Sequence, residues 1–122
     1  MAKTILVVED DPDMRELIAS HLQTAGYAVR TAANGLHAAA ACVTAKPDLI
    51  ISDVHMPRMG GFDMIKILKS EEEMKDIPVI FLTVDEEKRG RGNELGAVAY
   101  LTKPIQVDAL MKAVLNHLPA KG

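Results

Sequence analysis

The chain has 122 residues, 48% hydrophobic and 25% charged, with 14 Lys and Arg against 17 Asp and Glu, for a net charge of −3. That is the size and mix of one soluble globular domain able to bury a core. The acidic balance argues against the basic field that direct nucleic-acid or membrane-surface binding needs, and the longest apolar runs are far too short to span a membrane.

In chain order, residues 1–4 carry no signal-peptide pattern, which leads us to expect a cytoplasmic protein. Residues 5–8 (Ile-Leu-Val-Val) are short and rich in β-branching, as in a buried strand. Asp11-Pro12 opens a helix, with Asp11 as N-cap, Pro12 at the first helical position and Asp13 near the positive dipole end. Met14, Leu17, Ile18, Leu22 and Ala25 are its expected inner stripe, and Gly26 ends it. Residues 28–31 read as a weaker strand and residues 35–45 as a small-residue helix that stops before Pro47. The lone Cys42 lies there, beside an alanine run, and reads as a buried packing residue. Residues 49–52 form a third strand, 57–61 a loop, and Phe62, Ile65 and Leu68 mark a third helix. Residues 79–82 form a fourth strand, and 86–95 a fourth helix weakened by Gly90 and Gly92. After a fifth strand at 100–102, Val107, Leu110, Met111, Val114, Leu115 and Leu118 mark the inner stripe of the last helix.

Five strand–helix units predict an α/β fold, a parallel sheet covered by helices on both faces, because parallel strands need crossovers. Periodicity does not order the strands. One domain is expected over residues 1–122, with its core at about 3–118.

Four strands run into residues capable of chemistry: Glu9-Asp10, Asp53, Thr83 and Lys103-Pro104. Parallel strands bring their carboxyl ends to one sheet edge, where α/β proteins bind ligands. Three carboxylates repel one another unless a cation joins them, and a hard oxygen set without sulfur suits Mg²⁺. Lys103 adds a point charge suited to a phosphate oxygen, and Thr83 a hydroxyl. Phosphoryl transfer asks for this positioning and charge neutralisation, and a carboxylate can itself be the nucleophile. Asp53, standing alone on the third strand, is the candidate acceptor. Singly, each residue has an ordinary reading: a turn for Asp53, a satisfied hydroxyl for Thr83, an extended dipeptide for Lys103-Pro104, a helix cap for Asp11 and Asp13. Their joint occurrence at successive strand exits favours chemistry.

The order Val-Val-Glu-Asp-Asp, Ser-Asp-Val-His-Met-Pro, Phe-Leu-Thr and Tyr-Leu-Thr-Lys-Pro resembles the receiver domain of two-component response regulators, from Lys3 to about Leu118. The resemblance implies a flavodoxin-like doubly wound sheet of order 2-1-3-4-5. It implies Asp53 as phosphoacceptor, with Asp10, Asp53 and the His55 backbone carbonyl on Mg²⁺ (Mn²⁺ as substitute) and Glu9 acting largely through water. It makes Thr83 and Lys103 the switch hydroxyl and the phosphate contact, Tyr100 the aromatic that moves with Thr83, and the bond to Pro104 cis. The implied donor is a sensor histidine kinase or a histidine phosphotransfer protein. The implied output is an effector or effector domain reading helix 4, strand 5 and helix 5, with a phosphorylation-driven homodimer as one form of it. Such a domain assists its own phosphorylation and dephosphorylation and is not otherwise an enzyme.

Several rivals fit less well. Asp11-Pro12-Asp13 reads as the Asp-x-Asp of haloacid-dehalogenase-like phosphatases, but Met14 follows where that family has Thr or Val, and we expect no cap domain. A flavin module would want a Ser/Thr/Gly-rich loop after the first strand, and an EF-hand starting at Asp11 fails at Glu16 and Leu22. A pseudo-receiver that is never phosphorylated remains the alternative. His21, His37 and His117 show no metal-ligand spacing. Val84, usually a small residue in the family, is read as packing or as narrowing access to the phosphoryl group. The His55 imidazole and Asp85 are candidate modulators. The basic, glycine-containing residues 88–93 are read as a solvated loop or an order–disorder element.

Overall fold

The structure, a computed structural model, describes residues 2–84 and 86–118. Strands β1 (Thr4–Val8), β2 (Ala28–Ala32), β3 (Leu49–Asp53), β4 (Val79–Thr83) and β5 (Ala99–Thr102) alternate with helices α1 (Pro12–Thr24), α2 (Gly35–Thr44), α3 (Gly61–Ser70), α4 (Arg89–Glu94) and α5 (Val107–His117). The sheet is wholly parallel, in the order β2-β1-β3-β4-β5. This is the flavodoxin-like order that the resemblance implies.

Side-chain alternation along each strand sorts the core into two layers. Ile5, Val7, Leu49, Ile51, Ile80 and Leu82 pack against Ile18 and Leu22 of α1 and Leu110 and Val114 of α5. Leu6, Val8, Ile50, Val79 and Phe81 face Ala38 and Cys42 of α2 and Met64, Ile65 and Leu68 of α3. With both faces covered, the central strands are continuous apolar runs. Cys42 is buried, as its alanine neighbours suggest.

Local signals hold at the helix ends. The Asp11 carboxylate accepts from the backbone N–H of Asp13 at 3.0 Å, and Gly26 leaves α1 at φ 102°. Two residues assigned to inner stripes lie outside them: Leu17 is 51% exposed and Leu115 48%. Each neighbours a fully engaged residue, Ile18 and Val114, and a step of one residue turns a side chain about 100° around the helix. Ala25, the C-cap of α1, and Val107, the first residue of α5, are exposed as well.

The fourth helical segment is a three-residue 3₁₀ turn, Glu86–Lys88, followed by the six-residue α4. The glycine-weakened helix expected over 86–95 is thus shorter than that span and starts at Arg89. The sequence does not anticipate why Gly92 is there. Gly92 is buried, and a Cβ on it would lie 2.8 Å from the Tyr100 ring, whereas a Cβ on Gly90 would meet nothing within 4 Å.

The register sets the functional edge. Val8 pairs with Ser52, Asp53 with Leu82, and Thr83 with Thr102. Glu9, Asp53, Thr83 and Lys103 are thus each within one residue of the same sheet edge. The strand order reverses between β1 and β3, the crevice where doubly wound sheets bind ligands.

The two α4 glycines should respond oppositely to alanine. Gly90→Ala should stabilise the fold by about 0.5–1 kcal/mol through helix propensity. Gly92→Ala should destabilise it by about 1–3 kcal/mol through overpacking. Urea denaturation of both variants checks this, and shifts of the same sign would contradict it.

Candidate functional site

The acidic cluster draws on two strands. Glu9 and Asp10 follow β1, and Asp53 ends β3; one carboxylate oxygen from each lies within 4.8 Å of the others. Glu9 and Asp53 are buried, at 2% and 8% exposure, while Asp10 is exposed. Lys103, following β5, reaches into the cluster. Its Nζ lies 2.8 Å from Asp53 Oδ2 and 3.3 Å from each oxygen of Glu9. The other Asp53 oxygen, Oδ1, accepts the Val54 N–H at 2.7 Å and the His55 N–H at 3.4 Å. These donors fix the carboxylate with one oxygen toward the backbone and the other toward the ammonium.

Charge at the site follows from burial. Desolvation first, then repulsion from Asp53, push the Glu9 carboxyl up to about 7 against the opposing pull of Lys103. Burial pulls Lys103 down, but its hydrogen bond to Asp53, the Asp53 charge and then Glu9 outweigh that and leave it above the usual lysine value. The site is therefore short of positive charge, the condition in which a divalent cation binds among carboxylates. Three hard oxygen donors with no sulfur fit Mg²⁺ in kind and number.

The remaining predicted residues separate into two groups. Thr83 is fully buried at the end of β4, and its carbonyl accepts the Lys103 N–H at 2.7 Å. Tyr100 is buried on β5 with its ring centroid 6.3 Å from that of Phe81. The Lys103-Pro104 bond is cis. The His55 side chain is exposed and lines a cleft of about 520 Å³ with Val54, Met56, Pro57, Phe62 and Lys88; neither the carboxylates nor Lys103 line it. Val84 is 76% exposed, which rules out the packing reading. Asp85 lies outside the described residues.

Sequence reasoning misses three supporting residues. Arg15 of α1 donates from Nη1 to the Glu9 carbonyl at 2.8 Å, holding the strand exit to the helix. Gly61 lets α3 start against the acceptor: a Cβ there would lie 2.7 Å from the Phe81 ring and closer still to the Asp53 carbonyl oxygen. Arg89 contacts Tyr100. The Gly60-Gly61 pair marks a close approach in the sequence, but nothing there says against what; Arg15 carries no local signal, and Arg89 stands out only as part of the basic residues 88–93.

Comparison with known proteins agrees with this geometry. The family model for the response regulator receiver domain matches residues 5–115. The phosphate regulon transcriptional regulatory protein PhoB of Pseudomonas aeruginosa is 42% identical over 122 residues, which cover 96% of this chain and 53% of that protein. This chain spans about half the length of the first curated relatives it matches. The chemotaxis protein CheY4 of Vibrio cholerae has a solved structure with a TM-score of 0.90 at 37% identity, covering 97% of this chain and all of that one. The response regulator TrrA of Thermotoga maritima, solved in complex with Mg²⁺ and BeF, gives a TM-score of 0.87 at 34% identity, covering 95% of this chain and 99% of that one. Among the described residues, no helix is long and apolar enough to cross a membrane. The strand order, the convergent acidic edge and the family match lead to one conclusion: the chain belongs to the response regulator receiver domain family of two-component signalling.

Proposed function

We propose that Asp53 is the phosphoacceptor of a two-component phosphorelay. The observation that carries this is the Asp53 carboxylate at the sheet edge, with Lys103 Nζ at 2.8 Å and the carboxylates of Glu9 and Asp10 within 4.8 Å. An oxygen of Asp53 forms the new bond to phosphorus as the phosphorus–nitrogen bond of a partner's phosphohistidine breaks, and the imidazole nitrogen leaves with its electron pair. The Val54 N–H keeps the carboxylate oriented, and Lys103 offers its charge to the phosphoryl oxygens. Glu9, Asp10, Asp53 and the His55 backbone carbonyl would hold Mg²⁺, with Mn²⁺ able to replace it. When bound, the metal supplies positive charge that offsets the crowded carboxylates and the incoming phosphoryl group. The Mg²⁺ held by the related TrrA supports the same ion here.

Thr83 and Tyr100 then form the switch that relays the phosphoryl state to the α4–β5–α5 surface. Val84, Asp85, His55 and Pro104 modulate its rates, Val84 by narrowing access from its exposed position. We read the receiver domain as spanning residues 1–122, working in the cytoplasm as a signalling domain rather than an enzyme with its own turnover substrate. Its partners are a sensor histidine kinase or histidine phosphotransfer protein and a downstream effector, with homodimerisation on phosphorylation as one form of output.

Incubation with a small phosphodonor and Mg²⁺ should give a mass gain that Asp53→Asn abolishes. No Asp53-dependent gain would favour the pseudo-receiver. Lys103→Ala should slow phosphorylation by about 10²-fold or more, measured as the rate of that gain; an unchanged rate would remove Lys103 from the chemistry. The raised Glu9 carboxyl adds a pH dependence. A carboxyl held above its ordinary 4.5 costs stability once ionised, so the loss begins as pH rises past 4.5 and is complete above about 7. Metal-free wild type should therefore lose stability between about pH 5 and 8, and Glu9→Gln should lose less. Urea midpoints across that range test this, and parallel curves would contradict it.

A further inference from the structure

Arg89 is a half-buried side chain engaged with two elements near the switch. Its Nη1 donates to the Tyr100 carbonyl at 2.7 Å, and its guanidinium carbon sits 5.2 Å from the Tyr100 ring centroid. Nε and Nη2 fork onto the two carboxylate oxygens of Glu86 at 2.7 and 3.2 Å. One side chain thus binds the backbone of β5, covers the ring beside it, and is pinned to the 3₁₀ turn just after β4.

The neighbourhood explains why this contact matters. α4 has six residues, and its buried residue is Gly92, so it sends no bulky side chain down onto β5. The Tyr100 ring occupies that space, next to the Phe81 ring and the bare Gly92 backbone. The Arg89 guanidinium lies over the same ring. Guanidinium stacking on an aromatic face is attractive and orients the plane, and the fork onto Glu86 limits the rotamers Arg89 can take. Together they favour the buried Tyr100 rotamer over an exposed one.

We propose that Arg89, pinned by Glu86, is a positioning residue for Tyr100 and biases the switch toward the ring-buried packing before any phosphoryl group arrives. The proposal rests on Tyr100 belonging to the switch described above. It takes the ring-buried packing as the one that phosphorylation favours, which makes the α4–β5–α5 surface of this chain partly prepared at rest.

The test is Tyr100 exposure, read by acrylamide quenching of tyrosine fluorescence and by the aromatic NMR signals of the full chain. There are two tyrosines and no tryptophan. Tyr27, itself buried and hydrogen-bonded through its hydroxyl to the Leu118 carbonyl, serves as an internal control on folding. Arg89→Gln should raise the exposed population of Tyr100 roughly two- to five-fold in the unphosphorylated protein, the range expected for losing one exposed cation–π contact. Arg89→Lys should recover part of the protection, because it keeps a cation without the fork. Glu86→Gln should move Tyr100 in the same direction by less, and it serves as the second variant if Arg89→Gln folds poorly. Adding Mg²⁺ and beryllofluoride should restore wild-type protection. Unchanged Tyr100 exposure in both Arg89→Gln and Glu86→Gln, with Tyr27 signals intact, would overturn the proposal. A wild type that shows no Mg²⁺-dependent response to beryllofluoride would instead defeat the phosphoacceptor reading, and the unphosphorylated comparison would still decide the role of Arg89.

Discussion

The ammonium of Lys103 between Asp53 and Glu9 is the contact on which the site depends. Lys103 leaves the edge strand β5 and reaches carboxylates on β3 and β1, spanning β4 on the way. A unit charge pair at about 4 Å is worth roughly 4 kcal/mol at the effective dielectric typical near a protein surface. Two buried carboxylates left with only each other would repel by a similar amount. The sheet order sets which strand ends the ammonium can reach, and the backbone bond from Lys103 to the Thr83 carbonyl sets where the side chain starts. One ammonium does not offset the burial of Glu9 and its repulsion from Asp53, so Glu9 remains raised and the cluster remains receptive to a divalent cation.

Much of this was legible in the sequence because it depends on short-range pattern. A buried parallel strand is a run of β-branched residues, and whatever ends it sits at the sheet edge, so Glu9, Asp10, Asp53, Thr83 and Lys103 announce themselves by position. Asp11-Pro12 and Gly26 bracket α1 through local backbone chemistry. Strand order was not legible from periodicity, since nothing in 122 residues says which strands are neighbours; it came with the resemblance. Leu17 and Leu115 were misplaced because a helical stripe is about 100° wide and a residue on its flank satisfies the same spacing. Gly61, Gly92, Arg15 and Arg89 were out of reach for one shared reason: each acts through a contact with another element, and a glycine that admits a ring looks like one that merely weakens a helix.

In the function we propose, the fold separates receiving from reporting. Receiving uses the reversal point between β1 and β3, where backbone N–H groups and Lys103 hold the Asp53 carboxylate rigidly. Reporting would use the α4–β5 side, where a six-residue helix and a 3₁₀ turn cover β5. A short element with little buried area is a low-cost place for a domain to change shape. Thr83 joins the two sides, buried at the end of β4 with its carbonyl on Lys103 and its chain leading into the turn that Glu86 opens.

The most direct measurement is chemical mapping of the acceptor. After treatment with a phosphodonor and Mg²⁺, borohydride reduction converts an aspartyl phosphate to homoserine, which peptide mass spectrometry locates. Homoserine at position 53 alone, and none when Mg²⁺ is withheld, is the expected result. Homoserine at position 10, or an unreduced aspartate at 53 in protein that has gained a phosphoryl group, would contradict it.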